Sequence, residues 1–246
     1  CSTAYRNAIG DVTDAGVTVV SSSGNSAEED PGIKGYPASC ENVISVGAVD
    51  PLSRRAYYST YNDALDVAAP GGTTGTDLNG DGQPDGILAF DGSENLTYYQ
   101  GTSMASPHAA GAIALIYALK PEWDAVQMEA FIKSGYFTDD IGTEGKDDEY
   151  GYGLINLDKA FTNLIDGGLD FTYATITPGS FNFGYSDTEK LVTITKVGTG
   201  DLSVTQVTTP NTGLVSIAAV DIDTSGFGTY KITLIRGDVP DGTYNG

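Results

Sequence analysis

One serine of this chain lies where a hydroxyl group can act as a nucleophile. Ser103 opens a run of small and apolar residues that predicts a helix, buried all round, from residue 103 to about residue 120. The free N–H groups and the positive dipole at the start of a helix favour a developing negative charge. A serine attacks a carbonyl only when a base removes its proton and donors stabilise the oxyanion that forms. If Ser103 stood alone, a helix cap would be the better interpretation.

Asn25 is a candidate donor for that oxyanion. It follows the β-branched run 17–20 through the short segment 21–24, and an amide at the end of a strand can donate to a developing negative charge. Taken singly, the pair Gly24-Asn25 is more often a turn. Its occurrence together with Ser103 favours the chemical interpretation.

The chain offers no base for Ser103. Its single histidine, His108, lies five residues further along the same helix, about 140° around the axis, and cannot reach the Ser103 hydroxyl. The nucleophile elbow of α/β-hydrolases is excluded as well. That pattern has a glycine where Ala105 stands, and it requires a histidine after the serine, whereas none follows His108.

The elements that must position these residues predict an α/β domain. Short apolar and β-branched runs that predict strands are found at 17–20, 43–49 and 65–69. Because these runs are nearly continuous, we expect a sheet that is covered on both faces. Helical patterns occur at 4–15, 103–120, 122–133 and 154–164.

Beyond residue 166 the pattern changes to short apolar runs separated by turn residues. Runs that predict strands are found at 191–195, 202–204, 214–217 and 230–234. They predict an incomplete β-sandwich domain over residues 167–246, after a first domain over residues 1–166. Residues 241–246 indicate a turn before a strand that is absent, so we expect the sequence to be cut at this end.

Four segments of the first domain resemble the subtilisin-like serine proteases in order and spacing. They are residues 15–26, 35–38, 65–71 and 101–108, and the resemblance runs from Cys1 to about Leu164. It implies a parallel sheet with helices on both faces, of which this chain carries the C-terminal half. It also implies that Ser103 is the nucleophile of an endopeptidase, and that the Asn25 side chain and the Ser103 N–H form the oxyanion hole.

The same resemblance implies a pocket for the residue before the scissile bond. Ser22, Ser23 and Gly24 match one wall of that pocket, and Gly35 matches its floor, where the missing side chain leaves room for a large apolar or aromatic group. Many relatives have alanines in this wall. The serines therefore argue against a strictly apolar pocket.

The chain departs from the family in what it lacks. The catalytic residues of subtilisins run Asp, His, Ser along the sequence, so we expect the first two in a segment before Cys1, in a longer protein that carries an N-terminal propeptide. The resemblance makes His108 a structural, buried histidine. We expect this chain alone to be unstable and proteolytically inactive. Two alternatives stay open: a pseudoenzyme, and an adhesion or substrate-anchoring protein in which the β-sandwich dominates.

An acidic loop between the predicted strand 65–69 and Ser103 has the spacing of a calcium site. Oxygen-bearing side chains recur at alternate positions, with Gly82 where a sharp turn is needed. The residues in question are Asp77, Asn79, Asp81, Gln83 and Asp85. Leu88 replaces the bidentate glutamate of an EF-hand, so the loop is more similar to the calcium loops of extracellular repeats. We expect calcium with a structural role, and an ordinary acidic turn is the alternative.

Charge and cysteines restrict partners and location. The formal net charge of −21 disfavours nucleic acid and anionic membranes, and no stretch reaches the roughly 20 apolar residues of a membrane helix. Proteins and peptides remain as substrates. Cys1 and Cys40 are either a disulfide or two free thiols. We expect the disulfide, because the other features indicate a secreted protein.

Overall fold

A computed structural model describes residues 1–166, 173–177, 188–197, 201–207 and 215–235. The chain divides into two compact units, residues 1–169 and residues 170–246. The boundary predicted from the sequence lies between residues 166 and 167.

The first unit contains a five-stranded sheet, a hairpin and four helices. The strands are β1 (Val19–Ser22), β2 (Val43–Val49), β3 (Val67–Pro70), β4 (Ile87–Phe90), β5 (Leu96–Tyr99), β6 (Thr138–Asp139) and β7 (Leu154–Ile155). The helices are α1 (Thr3–Asp14), α2 (Thr102–Leu119), α3 (Ala125–Lys133) and α4 (Leu157–Asp166). The sheet order is β1-β2-β3-β7-β6, parallel except for β6 against β7. The sequence did not predict the antiparallel β4–β5 hairpin.

Strand β2 confirms the predicted α/β architecture. All seven residues of β2 are buried. Side chains alternate between the two faces of a strand, so a fully buried strand requires cover on both faces. Helix α2 packs against β1, β2 and β3 and supplies part of that cover.

Helix ends follow the local sequence. Ser2 accepts a hydrogen bond from the Tyr5 N–H at the start of α1, and Gly16 follows its end with a φ of 85°. Asp124 and Gln127 form a capping box at the start of α3. The helix therefore begins a few residues later than the sequence pattern suggested.

Helix α2 is buried on one face only, so the prediction of burial all round was wrong. Thr102, Ala105, Ala109 and Ile116 lie in the core, whereas Leu115 is 49% exposed. The sequence of this helix has no stripe of polar residues that would indicate a solvent-exposed face. The exposed face is lined by small and apolar residues.

A disulfide joins Cys1 to Cys40, as predicted, with a Cα–Cα distance of 5.3 Å. It fastens the start of α1 to the segment before β2. Cys40 packs there with Ile9 of α1 and Val43 of β2. The bond joins residues that are 39 positions apart, and it stabilises the fold mainly by restricting the unfolded chain.

Tyr58 connects the end of β3 with the start of α2. Its ring is buried, and its hydroxyl donates to the Gly72 carbonyl oxygen at 2.7 Å and accepts from the Gly101 N–H at 2.9 Å. Burial raises the pKa of Tyr58 to about 12, so the phenol stays protonated. Gly101 N also donates to the Gly71 carbonyl oxygen at 3.0 Å. The residue two places before Ser103 is therefore held from two sides.

Asp66 is a carboxyl group buried just before β3. One oxygen accepts from the Ser45 N–H at 2.8 Å. Burial raises the pKa of Asp66 to about 6, although the Ser45 N–H and Lys146 oppose the shift. Glu129 adds to it. The folded chain therefore binds this proton more tightly than the unfolded chain does.

The second unit contains one antiparallel sheet among the residues that the structure describes. Its strands are β8 (Tyr173–Thr177), β9 (Glu189–Val197), β10 (Val215–Ile222) and β11 (Gly228–Leu234), in the order β10-β11-β9-β8. A β-sandwich requires a second sheet beside this one, so the described residues account for one of its two layers. The turn predicted at residues 241–246 lies outside the described residues. The predicted strand at 202–204 is wrong. Val204 packs against Ile194, Phe227 and Tyr230 without joining the sheet, so its apolar pattern reflects core packing.

Replacing Tyr58 by phenylalanine is expected to destabilise the first unit. Tyr58→Phe leaves the buried Gly72 carbonyl without its donor, which costs about 1 to 3 kcal/mol in the free energy of unfolding. Urea unfolding followed by circular dichroism measures this. Tyr57→Phe is the matched control, because the Tyr57 side chain is exposed and, among the described residues, its hydroxyl accepts from Gln100 alone. Equal stabilities of the two variants would contradict the bridging role.

The pKa of Asp66 predicts a pH dependence of stability. Its folded pKa of about 6 exceeds the ordinary 3.8, so its contribution is complete below pH 4 and is lost as the pH rises to about 6. Asp66→Asn keeps an acceptor for Ser45 and cannot ionise. At pH 7 the variant should be more stable than the wild type, by at most about 3 kcal/mol.

Urea unfolding at a series of pH values tests the Asp66 prediction. The quantity of interest is the difference between variant and wild type, because other carboxyl groups titrate in the same range. The exposed Asp148 provides the control, and Asp148→Asn should follow the wild-type curve. A difference between Asp66→Asn and wild type that is independent of pH would exclude the titration.

Candidate active site

Ser103 lies in the first turn of α2, with its side chain exposed. Gly101 is the N-cap and has a φ of 145°, a backbone conformation that favours glycine. Pro107 lies inside the helix and has no N–H to donate to the Ser103 carbonyl. Among the described residues, the Ser103 N–H has no acceptor. It is free to donate to a ligand.

Thr102 orients the amide of Asn25. Asn25 Oδ1 accepts from the Thr102 backbone N–H at 3.0 Å and from Thr102 Oγ1 at 2.9 Å. A backbone N–H can only donate, so the atom that faces it is the amide oxygen. The Nδ2 end is thereby directed away from Thr102. Within the described ranges it has no acceptor.

The two free donors, Asn25 Nδ2 and the Ser103 N–H, border the same space. A Cβ atom built on Gly101 would lie 3.3 Å from Asn25 Nδ2 and 3.7 Å from the Ser103 nitrogen. A side chain at residue 101 would enter the space that both donors border. The structure therefore brings Asn25 and Ser103 together, as the sequence predicted, and glycine leaves their common space open.

His108 cannot serve Ser103 as a base. Its Nδ1 contacts the Met104 carbonyl oxygen at 2.8 Å on the same helix. Its side chain is exposed, so the prediction of a buried histidine was wrong. The reason is that it lies on the uncovered side of α2. Because the chain has one histidine, it contains no imidazole that can activate Ser103.

The predicted pocket residues lie together at the end of β1. A Cβ atom on Gly35 would lie 3.5 Å from the Ser23 carbonyl oxygen, so the predicted floor touches the predicted wall. Ser23 is buried and donates its hydroxyl to the Thr60 carbonyl oxygen at 2.9 Å. That hydroxyl is therefore used internally. Ser22, in contrast, is only half-buried, and Gly24 donates its N–H to Thr102 Oγ1 at 3.3 Å.

The acidic loop follows β3 and precedes the hairpin. Asp77, Asn79 and Asp81 are exposed, and Asp85 is buried. Gln83 donates its N–H to Asp81 Oδ1 at 2.8 Å. Over the described part of the chain, no group of three or more His, Cys, Asp or Glu side chains is placed to hold a metal ion.

Sequence reasoning missed Thr102 and Tyr58. Thr102 is 1% exposed and fixes Asn25, which lies 77 positions away along the chain. A threonine at the first position of a helix has nothing unusual in its local pattern. Tyr58 is one of 15 tyrosines, and only its position between two buried backbone groups distinguishes it.

Similar proteins are found among both known sequences and solved structures. A protease of Pseudoalteromonas arctica has a similar structure, with a TM-score of 0.55 and 32% identity, over 67% of this chain and 48% of that one. An extracellular protease of Xanthomonas campestris pv. campestris is 35% identical over 68% of this chain and 27% of its own length. Subtilisin Savinase of Lederbergia lenta is 35% identical over 65% of this chain and 51% of its own length.

This chain thus spans between about a quarter and a half of the length of these three proteins. None of the helices described is long and apolar enough to cross a membrane. The subtilase family model matches residues 2–153, which is more than half of the chain. The resemblance found in the sequence is confirmed, and the chain belongs to the subtilase family.

Proposed function

We propose that this chain is part of a secreted serine endopeptidase that acts through an acyl-enzyme on Ser103. The observation that carries the proposal is the pair of free donors, Asn25 Nδ2 and the Ser103 N–H, around one open space beside the serine. Donors fixed in advance toward a developing oxyanion supply much of the rate enhancement in acyl transfer. Neither donor needs to reorganise when the charge forms.

In the proposed reaction the carbonyl oxygen of the scissile bond enters the space between these two donors. The Ser103 hydroxyl oxygen attacks the carbonyl carbon while a base takes its proton, and the oxyanion is held by Asn25 and the Ser103 N–H. Collapse breaks the C–N bond, and the protonated base gives its proton to the leaving amine. Water then attacks the ester by the same steps and releases Ser103.

The base is proposed to come from a further segment of the protein, together with the Asp that orients it. The uncovered face of α2 supports this, because an apolar helix face is normally packed against another element. Leu115 and Leu119 are 49% and 43% exposed on this helix. His108 belongs to the same uncovered side. We therefore expect the missing segment to cover α2 beside Ser103.

The pocket favours a large apolar or aromatic residue before the scissile bond. Gly35 contributes no side chain to the floor, and the Ser23 hydroxyl is bonded to Thr60 instead of facing a substrate. A serine whose hydroxyl is satisfied presents little more polarity than an alanine. For Ser23, this answers the argument from sequence that serines in the wall oppose an apolar preference.

A location outside the cell is supported by two observations. The Cys1–Cys40 disulfide is of a kind that persists in oxidising surroundings. One relative is named an extracellular protease. The acidic surface, with a net charge of −21, also suits peptide substrates better than polyanions.

The first test compares the 246-residue chain with a form extended by the preceding codons of its gene. The chain alone is expected not to cleave a chromogenic peptide with an aromatic residue before the scissile bond, because it has no base. The extended form should cleave it, and Ser103→Ala should abolish turnover. Turnover by the 246-residue chain itself would contradict the proposal. An extended form that folds but never cleaves would favour the pseudoenzyme.

The second test removes the side-chain donor. In the extended form, Asn25→Ala should lower kcat by about 10²- to 10³-fold with little change in KM, the size known for the corresponding donor in a subtilisin. Asn95→Ala, in the exposed turn between β4 and β5, is the control and should change neither constant. A normal kcat for Asn25→Ala would show that this amide does not meet the oxyanion.

A further inference from the structure

One asparagine of the loop between β3 and β4 precedes a glycine. Asn79 and Gly80 are both exposed, and a Cβ atom built on Gly80 would have nothing within 4 Å. Glycine has no side chain to shield its own nitrogen, so the peptide bond after Asn79 is open to approach. Among the described residues, no other asparagine is followed by glycine. A second such pair, at 245–246, lies outside them.

The side chain of Asn79 is folded back over this peptide bond. Its Oδ1 accepts from the Asp81 N–H at 2.9 Å, two residues further on. Such a hydrogen bond forms an Asx-turn, in which the side-chain carbonyl takes the place of a backbone carbonyl. The carbon Cγ is therefore held beside the nitrogen of Gly80. The Asp81 N–H also faces the oxygen on which negative charge develops when a nucleophile attacks Cγ.

A proton acceptor contacts the same nitrogen. Asp77 Oδ1 accepts from the Gly80 N–H at 2.7 Å and from the Asp81 N–H at 3.1 Å. A peptide nitrogen becomes a nucleophile only when it loses its proton, and a positioned carboxylate can receive that proton. Gly80 has a φ of 76°, which glycine adopts without strain, so the turn keeps this arrangement.

The amide nitrogen of Asn79 lies at the surface of the loop. Nδ2 donates to Asp81 Oδ2 at 3.1 Å. The two ends of the amide are thereby distinguished, because a backbone N–H can only donate and a carboxylate can only accept. Ammonia that is released from Nδ2 passes directly into solvent.

We propose that Asn79 is a site of spontaneous deamidation, through a succinimide formed with the Gly80 nitrogen. This nitrogen bonds to Cγ of Asn79 while its proton passes to Asp77 and on to water. The bond between Cγ and Nδ2 then breaks, and Nδ2 takes up a proton and leaves as ammonia. Water opens the ring at Cγ to give aspartate, or at the backbone carbonyl carbon to give isoaspartate. The net change consumes water and releases ammonia, independently of the chemistry at Ser103.

The products weaken the loop. In the unmodified chain the Asn79 amide donates to the Asp81 carboxylate, whereas after deamidation two carboxylates face each other and repel. Isoaspartate also adds a methylene group to the backbone inside the turn that Asp77 holds. The end of this loop is tied to its start, because Asp85 accepts from the Thr73 N–H at 2.9 Å. Loss of the turn therefore loosens the connection between β3 and the β4–β5 hairpin.

Mass spectrometry of the 246-residue chain, incubated at mildly alkaline pH in chelator, tests the site. Fragmentation should locate at Asn79 the mass increase that corresponds to OH in place of NH₂, in a fraction that grows with time. Asn95 is the matched control within the same chain, because it too lies in an exposed loop and contacts an aspartate, Asp91, but precedes Leu96. It should keep its amide over the time in which most of Asn79 is converted.

Two variants test the consequence for stability. Asn79→Asp introduces one product directly and should melt lower than the wild type in chelator, where no divalent cation screens the two carboxylates. Asn79→Gln keeps an amide but moves its carbonyl carbon one methylene group further from the Gly80 nitrogen, which prevents the succinimide. Incubation should therefore lower the melting temperature of the wild type and leave that of Asn79→Gln unchanged.

Two results would overturn the proposal. One is an Asn79 that keeps its amide for as long as Asn95 does. The other is a fall in melting temperature that is equally large in the incubated wild type and in incubated Asn79→Gln, which would place the damage elsewhere in the chain.

Discussion

An amide group can direct its N–H toward a ligand only if its oxygen is held, and in this chain the oxygen of Asn25 is held by Thr102. Both donors that hold it, a backbone N–H and a hydroxyl, belong to the residue that precedes Ser103. Any movement of the helix start therefore moves Ser103 and the contact that orients Asn25 together. The distance between Ser103 and the Asn25 amide is set by one turn of helix.

The rest of the unit keeps that turn in place. Gly101 is fixed by Tyr58 and by the Gly71 carbonyl, and α2 packs against the three neighbouring strands β1, β2 and β3. Strand β1 ends at the segment that carries Asn25, so the amide and the serine are both attached to one sheet. The glycine at residue 101 is required because a side chain there would fill the space between the donors. Buried backbone and aromatic contacts thus provide the precision that the proposed acyl transfer needs.

The sequence allowed the parallel sheet, the four helices, the disulfide and the pairing of Asn25 with Ser103 to be predicted, because periodicity and motif order are local or family properties. It did not predict that Thr102 and Tyr58 hold the site, since each acts on a residue distant along the chain. The exposure of the outer face of α2 was not predicted either, for a different reason. Its small and apolar residues look the same whether another element covers them or not, and only the packing of the sheet shows which side is covered. The strand predicted at residues 202–204 was wrong for a similar reason. Alternating apolar residues are compatible with packing against a sheet as well as with pairing within it.

The buried carboxyl group of Asp66 also has a calorimetric consequence. Between about pH 4 and pH 6 the unfolded chain has released a proton that the folded chain still holds, so folding in this range takes up part of a proton from the solution. That proton must come from the buffer. The heat of folding measured there includes the heat of ionisation of the buffer, and two buffers at the same pH report two different enthalpies for one and the same structure.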